Sequence, residues 1–138
     1  EFRRVLFRSD GGWSIEDSVQ LSKWMKDAGV DLVDASAGGN SVDQVVNLKP
    51  GYQVPFADAI RNQAGIMTGA VGLIREAQQA EDILEAGHAD AVFIGRELMR
   101  NPYWSLYAQA QLDGKSGNWP YQYKPASFDY GYTGPSSR

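Results

Sequence analysis

Apolar positions along the first two-thirds of the chain alternate between a helical spacing and short continuous runs, and that alternation lays out the elements. Ser14 is placed as an N-cap, with Glu16 and Asp17 in the first turn of the helix it opens. Leu21, Trp24, Met25 and Ala28 follow at i, i+3, i+4 and i+7, which predicts one apolar face ending at Gly29. Continuous apolar runs at 30–36, 65–70 and 90–94 predict three strands. Between the first two strands, Pro50-Gly51 marks a turn and Pro55 sits in the first turn of a short helix through Gln63. A helix from about Leu73 presents Ala77, Ala80, Ile83 and Leu84 on one face and stops at Gly87. After the third strand, Glu97 to Met99 predict a short helical turn, Asn101-Pro102 breaks it, and a last helix covers 103–112.

Helices alternating with strands imply a parallel sheet joined by crossovers, an α/β fold. Units of roughly 25 to 30 residues suit either an open doubly wound sheet or a (β/α)8 barrel. Three strands are too few to close a barrel, which takes about 250 residues. Beyond Gly114 the chain turns rich in Gly, Ser, Pro and Tyr and loses its period, so 114–138 reads as an irregular tail, disordered or docked. At the other end, residues 1–9 hold Arg3, Arg4 and Arg8 and do not fit the pattern that follows. They read as a segment foreign to the domain, an Arg-rich transit segment being the alternative. The domain proper is then 10–113.

Composition narrows the function classes. A net charge of −4 gives no reason to expect nucleic acid or an anionic membrane as partner. No apolar run approaches the roughly 20 residues that span a bilayer. The absence of cysteine excludes thiolate chemistry and fits a reducing compartment, and the expected location is cytoplasmic. A single histidine, His88, leaves little for a metal site.

Two glycine-bearing segments carry the candidate chemistry: Thr68-Gly69-Ala70-Val71-Gly72 and Phe93-Ile94-Gly95-Arg96-Glu97. Each follows a strand. A phosphate needs backbone N–H donors at close range, and a misplaced Cβ blocks that approach. Gly72 and Gly95, each expected to open a helix, supply that access, and Arg96 adds a guanidinium fork for two phosphate oxygens. Gly69 by itself reads as a sharp strand end.

The resemblance becomes specific when these turns are taken with Gly11-Gly12-Trp13, Asp31-Leu32-Val33-Asp34, Pro50-Gly51-Tyr52-Gln53-Val54-Pro55-Phe56 and the run Gly95 to Trp104. In this order and spacing the chain resembles the carboxy-terminal part of the Old Yellow Enzyme family of NAD(P)H-dependent flavin oxidoreductases, in its branch of short bacterial ene-reductases. The likeness covers about 10–123. It implies strands six to eight of a (β/α)8 barrel with FMN at the carboxyl ends of the strands. It also implies FMN-phosphate contacts at Gly72, Gly95 and Arg96, and a place near the cofactor for Ser36 and Gly38. NAD(P)H would be the hydride donor and an activated alkene the substrate.

The same resemblance implies that the catalytic acid and the carbonyl-binding pair come from strands preceding Asp10. No catalytic residue is assigned within this chain, which is expected to be inactive alone. His88, in a helix-to-strand turn, reads as a surface residue. Trp119-Pro120-Tyr121-Gln122-Tyr123 resembles the family's tail, which crosses to a neighbouring subunit, and implies a homo-oligomer. Here Lys124-Pro125 stands where the family's tail arginine is expected. Another phosphate-binding barrel, such as a pyrimidine dehydrogenase or a dihydrouridine synthase, and a non-catalytic phosphate-binding half-barrel are the alternatives.

Overall fold

The computed structural model describes residues 2–4 by backbone, and residues 13–37, 47–114 and 119–127. Its elements run β1 (Phe2–Arg4), α1 (Ile15–Asp27), β2 (Leu32–Ala37), α2 (Val54–Ala64), β3 (Met67–Ala70), α3 (Ala77–Glu85), β4 (Ala91–Val92), α4 (Arg96–Arg100) and α5 (Trp104–Asp113), then a 3-10 helix at Tyr121–Ala126. They fall into two compact units, one formed by 1–75 with 79–94, the other by 76–78 with 95–138.

The first unit holds a four-stranded sheet in the order β1-β2-β3-β4, every pair parallel. The strands lie in chain order, with none of the reversal that marks a doubly wound sheet. Part of the segment expected to be foreign to the domain thus forms an edge strand, with Arg3 opposite Ser36. Val33 and Ala35 alternate with exposed Asp34 along β2, so they share one face, and both are buried. α2 packs on β2 and β3, and α1 packs on α2. The core residues at these contacts include Ala57, Ile60 and Ala70, none more than 1% exposed. On the opposite face Met67 is half exposed, and Phe93 lays its ring over Gly69.

Local signals account for most element ends. Ser14 caps α1 through a reciprocal pair: its Oγ accepts from the Asp17 N–H (3.2 Å), and Asp17 Oδ2 accepts from the Ser14 N–H (2.7 Å). The bond from the Ser14 backbone, then that from its hydroxyl, holds the Asp17 carboxyl below its ordinary value. Ser14→Ala should cost about 1 kcal/mol, read as a lowered urea midpoint at unchanged slope. Gly65 and Gly114 close α2 and α5 in the left-handed region, as helix stops do.

Two expectations need correction. The buried face of α1 is Ser18, Val19 and Ser22, whereas Trp24 is 62% exposed. Small side chains let α1 approach closely, and Ser22 meets the demand of burial by donating its hydroxyl to the Ser18 carbonyl (2.7 Å). Of the expected face, Leu21 and Met25 are half-buried, whereas Trp24 and Ala28 are exposed. The second correction concerns α3, which begins at Ala77 and not at Leu73. Gly72 (φ +119°) and Leu73 (φ +54°) are both in the left-handed region, which a right-handed helix cannot include.

In the second unit Trp119 is buried, stacked on Tyr103 (centroids 5.6 Å apart) and edge-on to Tyr107 (5.8 Å). Tyr123 joins Tyr103 at 5.4 Å, and a side-chain hydrogen bond between them raises the Tyr103 phenol above its usual value. Part of the expected tail is thus a docked segment, held by aromatic contacts and not by helical period.

Candidate functional site

The first unit places two of the expected site residues at or just beyond the carboxyl ends of successive strands. Ser36 lies at the carboxyl end of β2, half-buried. It helps to line a small cavity of about 20 Å³ with Ile15, Ser18, Ala37, Phe56 and Ile60, enough for one water. Gly38 lies outside the described residues. Gly72 sits after β3, and its surroundings differ from those expected. A Cβ there would meet Tyr52 Cε1 and Gln53 Nε2 at 3.1 Å, and its carbonyl accepts from the Gly51 N–H at 2.8 Å. The Pro50-Gly51-Tyr52-Gln53 segment therefore occupies the side where a Cβ would project. With α3 starting at Ala77, Gly72 does not present a helix N-terminus, and no helix dipole serves a phosphate there.

The second unit holds the other two. Gly95 is the N-cap of α4, and among the described residues no atom lies within 4 Å of a Cβ added to it. Arg96 follows, exposed, with no ion-pair partner among the described residues. The neighbouring Arg100 is engaged, since its Nη2 lies 2.6 Å from Glu97 Oε2. A five-residue helix adds little dipole, so an anion here would be held by the Arg96 charge and by the open approach to Gly95.

His88 is at the other end of the sheet. It precedes β4, with Nδ1 3.0 Å from Asp58 Oδ1 and both side chains well exposed. Nearby, Asp90 accepts from Arg61 Nε (3.0 Å) and from the buried Thr68 N–H (2.9 Å). This network joins α2 to the starts of β3 and β4, away from the ends that carry Ser36 and Gly72.

Sequence reasoning passed over Gln53. Its side chain is buried although it holds the N-cap position of α2, and it makes no capping bond there. Its Oε1 instead accepts from the Ala37 N–H. Only the run Pro50 to Phe56 hinted at it, because a glutamine by itself carries no signature.

Comparison with known proteins decides the lineage. The profile of the NADH:flavin oxidoreductase / NADH oxidase family matches residues 8–115. The chain belongs to this family. Among its relatives, an NADPH dehydrogenase of Bacillus licheniformis is 52% identical over 115 residues, covering 83% of this chain and 33% of that protein. NADPH dehydrogenases of Halalkalibacterium halodurans and Geobacillus thermodenitrificans are 48% and 53% identical, over 86% and 82% of this chain. The chain spans about a third of the length of the curated relatives it matches. The family description names NADH and flavin, and NADPH appears in the names of these relatives. Among the described residues no helix is long and apolar enough to cross a membrane.

Proposed function

We propose that this chain supplies the flavin-phosphate end of an FMN-dependent NADPH oxidoreductase that reduces activated carbon–carbon double bonds in the complete protein. The observation that carries the reading is the pair Gly95 and Arg96. An unobstructed glycine beside an exposed guanidinium with no described partner meets the two demands of a phosphate monoester, close backbone approach and positive charge. In the first unit Gly72 is a further candidate phosphate contact, its backbone held in an unusual conformation after β3. Ser36, at the carboxyl end of β2, and Gly38 are near the cofactor in this reading. Bound FMN supplies hydride transfer. The described residues bind and orient its phosphate, while the acid and the carbonyl-binding pair come from elsewhere in the complete enzyme. The chain alone is then expected to be inactive.

The sheet supports a barrel origin. Parallel strands in chain order, buried on the helix side and leaving Met67 exposed on the other, are what a section of a (β/α)8 wall would look like. In this reading β2, β3 and β4 are strands six, seven and eight. The docked Trp119, with Tyr121 81% exposed beside it in sequence, supports a homo-oligomer formed through the carboxy-terminal region.

A titration of the chain with FMN and, separately, with riboflavin tests the phosphate assignment, because the two differ only in that group. Arg96→Ala should weaken FMN about tenfold and leave riboflavin unchanged. Indifference of FMN to Arg96, or an equal loss for both ligands, would remove the assignment.

A further inference from the structure

We propose that Gln53 is a positioning residue, a strut that locks the carboxyl end of β2 to the turn after β3 and so holds these two flavin-facing parts of the first unit in register. The flavin-facing part of this statement rests on the function proposed above. The strut itself rests on geometry. Gln53 is 6% exposed, and a buried carboxamide left without partners is costly. Its place at the head of α2 would suit a capping side chain, yet it makes no cap bond. Pro55 in the first turn has no N–H to satisfy, which lightens the demand for a cap. The side chain is thereby released to reach across to the Ala37 N–H, one residue beyond Ser36.

The same side chain also touches the turn after β3. Its Cγ and Nε2 stand 3.2 and 3.1 Å from where a Gly72 Cβ would be, and Tyr52 closes on that point from beside it. Gly51 donates to the Gly72 carbonyl at 2.8 Å. Residues 51–53 thus grip Gly72 through a backbone bond and two side chains, while Gln53 alone among them extends to Ala37. A shift of the end of β2 or of the turn after β3 would be passed to the other through Gln53. Gly72 has to be glycine for this grip, both for its φ of +119° and for the space the strut fills.

Amide hydrogen exchange on the whole chain without ligand tests the strut, with α1 amides as the reference for global unfolding. Ala37 loses its acceptor directly in Gln53→Ala, so Gly51 is the informative reporter: its acceptor is Gly72, and Gln53 makes no bond to it. Gln53→Ala should speed exchange about tenfold at both Ala37 and Gly51, relative to α1. Gln53→Glu keeps an acceptor oxygen at the same reach and should restore both. Acceleration confined to Ala37, or no recovery in Gln53→Glu, overturns the strut. Riboflavin titrated into the same samples reads the flavin part: its affinity should fall about tenfold in Gln53→Ala and recover in Gln53→Glu. An unchanged riboflavin affinity alongside altered exchange overturns the link to flavin. Failure of the unsubstituted chain to bind FMN or riboflavin overturns the proposed function and the link to flavin together, while the exchange data still decide the strut.

Discussion

Gly69→Ala is expected to destabilise the chain by about 2 kcal/mol, because the added methyl would run into an aromatic ring. A Cβ at this position would stand 1.8 Å from Phe93 Cε2 and 2.5 Å from Cδ2, far inside van der Waals range. Phe93 cannot slide along the sheet, because its N–H donates to the Ala70 carbonyl at 2.8 Å. Its ring can yield only by turning away from the strand. At 40% exposure Phe93 has room to do so, which limits the cost to rotamer strain and the packing its ring gives up over the strand. The check is a double-mutant cycle in urea. Gly69→Ala in a Phe93→Ala background should cost about 1 kcal/mol or less, because the obstacle is gone. Equal costs in both backgrounds would mean that the ring does not rest on Gly69.

Asp90→Ala should cost a comparable amount, about 2 kcal/mol, for a different reason. β4 is only two residues long, too short for its ladder with β3 to fix the register unaided. Asp90 closes a ring with Thr68: its N–H donates to the Thr68 carbonyl (2.9 Å), and its Oδ2 accepts from the Thr68 N–H (2.9 Å). Its Oδ1 also faces Arg61 Nε at 3.0 Å, and Arg61 Nη1 donates to the Gly87 carbonyl. Alanine leaves the Thr68 amide, at a fully buried residue, without its acceptor. Asp90→Asn keeps an acceptor oxygen for Thr68 and should lose only about half as much, chiefly the ion pair, which is partly exposed and therefore weak. A melting series of the wild type and the two variants decides this. If Asn and Ala prove equally damaging, the Arg61 pair and not the Thr68 bond holds the strand.

Much of the fold could be read in advance, and the readable parts share a cause. Ser14, Gly29 and Gly87 act within a turn of their own position, so their effect does not depend on what packs nearby. The Gly95-Arg96 pair was legible for the same reason: its open approach and its charge belong to adjacent residues. Gly72 was only half legible. Its need to be glycine was apparent, but its neighbours Tyr52 and Gln53 come from a distant stretch, and they replace the helix terminus expected there. For α1 the hydrophobic stripe misled, because closeness of approach favoured Ser18 and Ser22 over Trp24.

By itself the sequence determined the order of helices and strands from α1 onward, their parallel arrangement and the flavin oxidoreductase lineage. Each follows from signals carried by a few consecutive residues or by a string of them in fixed order. Only the tertiary structure decided which face of α1 is buried, why no free space is left for a side chain at Gly69 and Gly72, and that Gln53 spans from the end of β2 to the turn after β3. Those outcomes depend on atoms brought together from distant positions in the chain, where steric fit and the need to satisfy buried polar groups outweigh local preference.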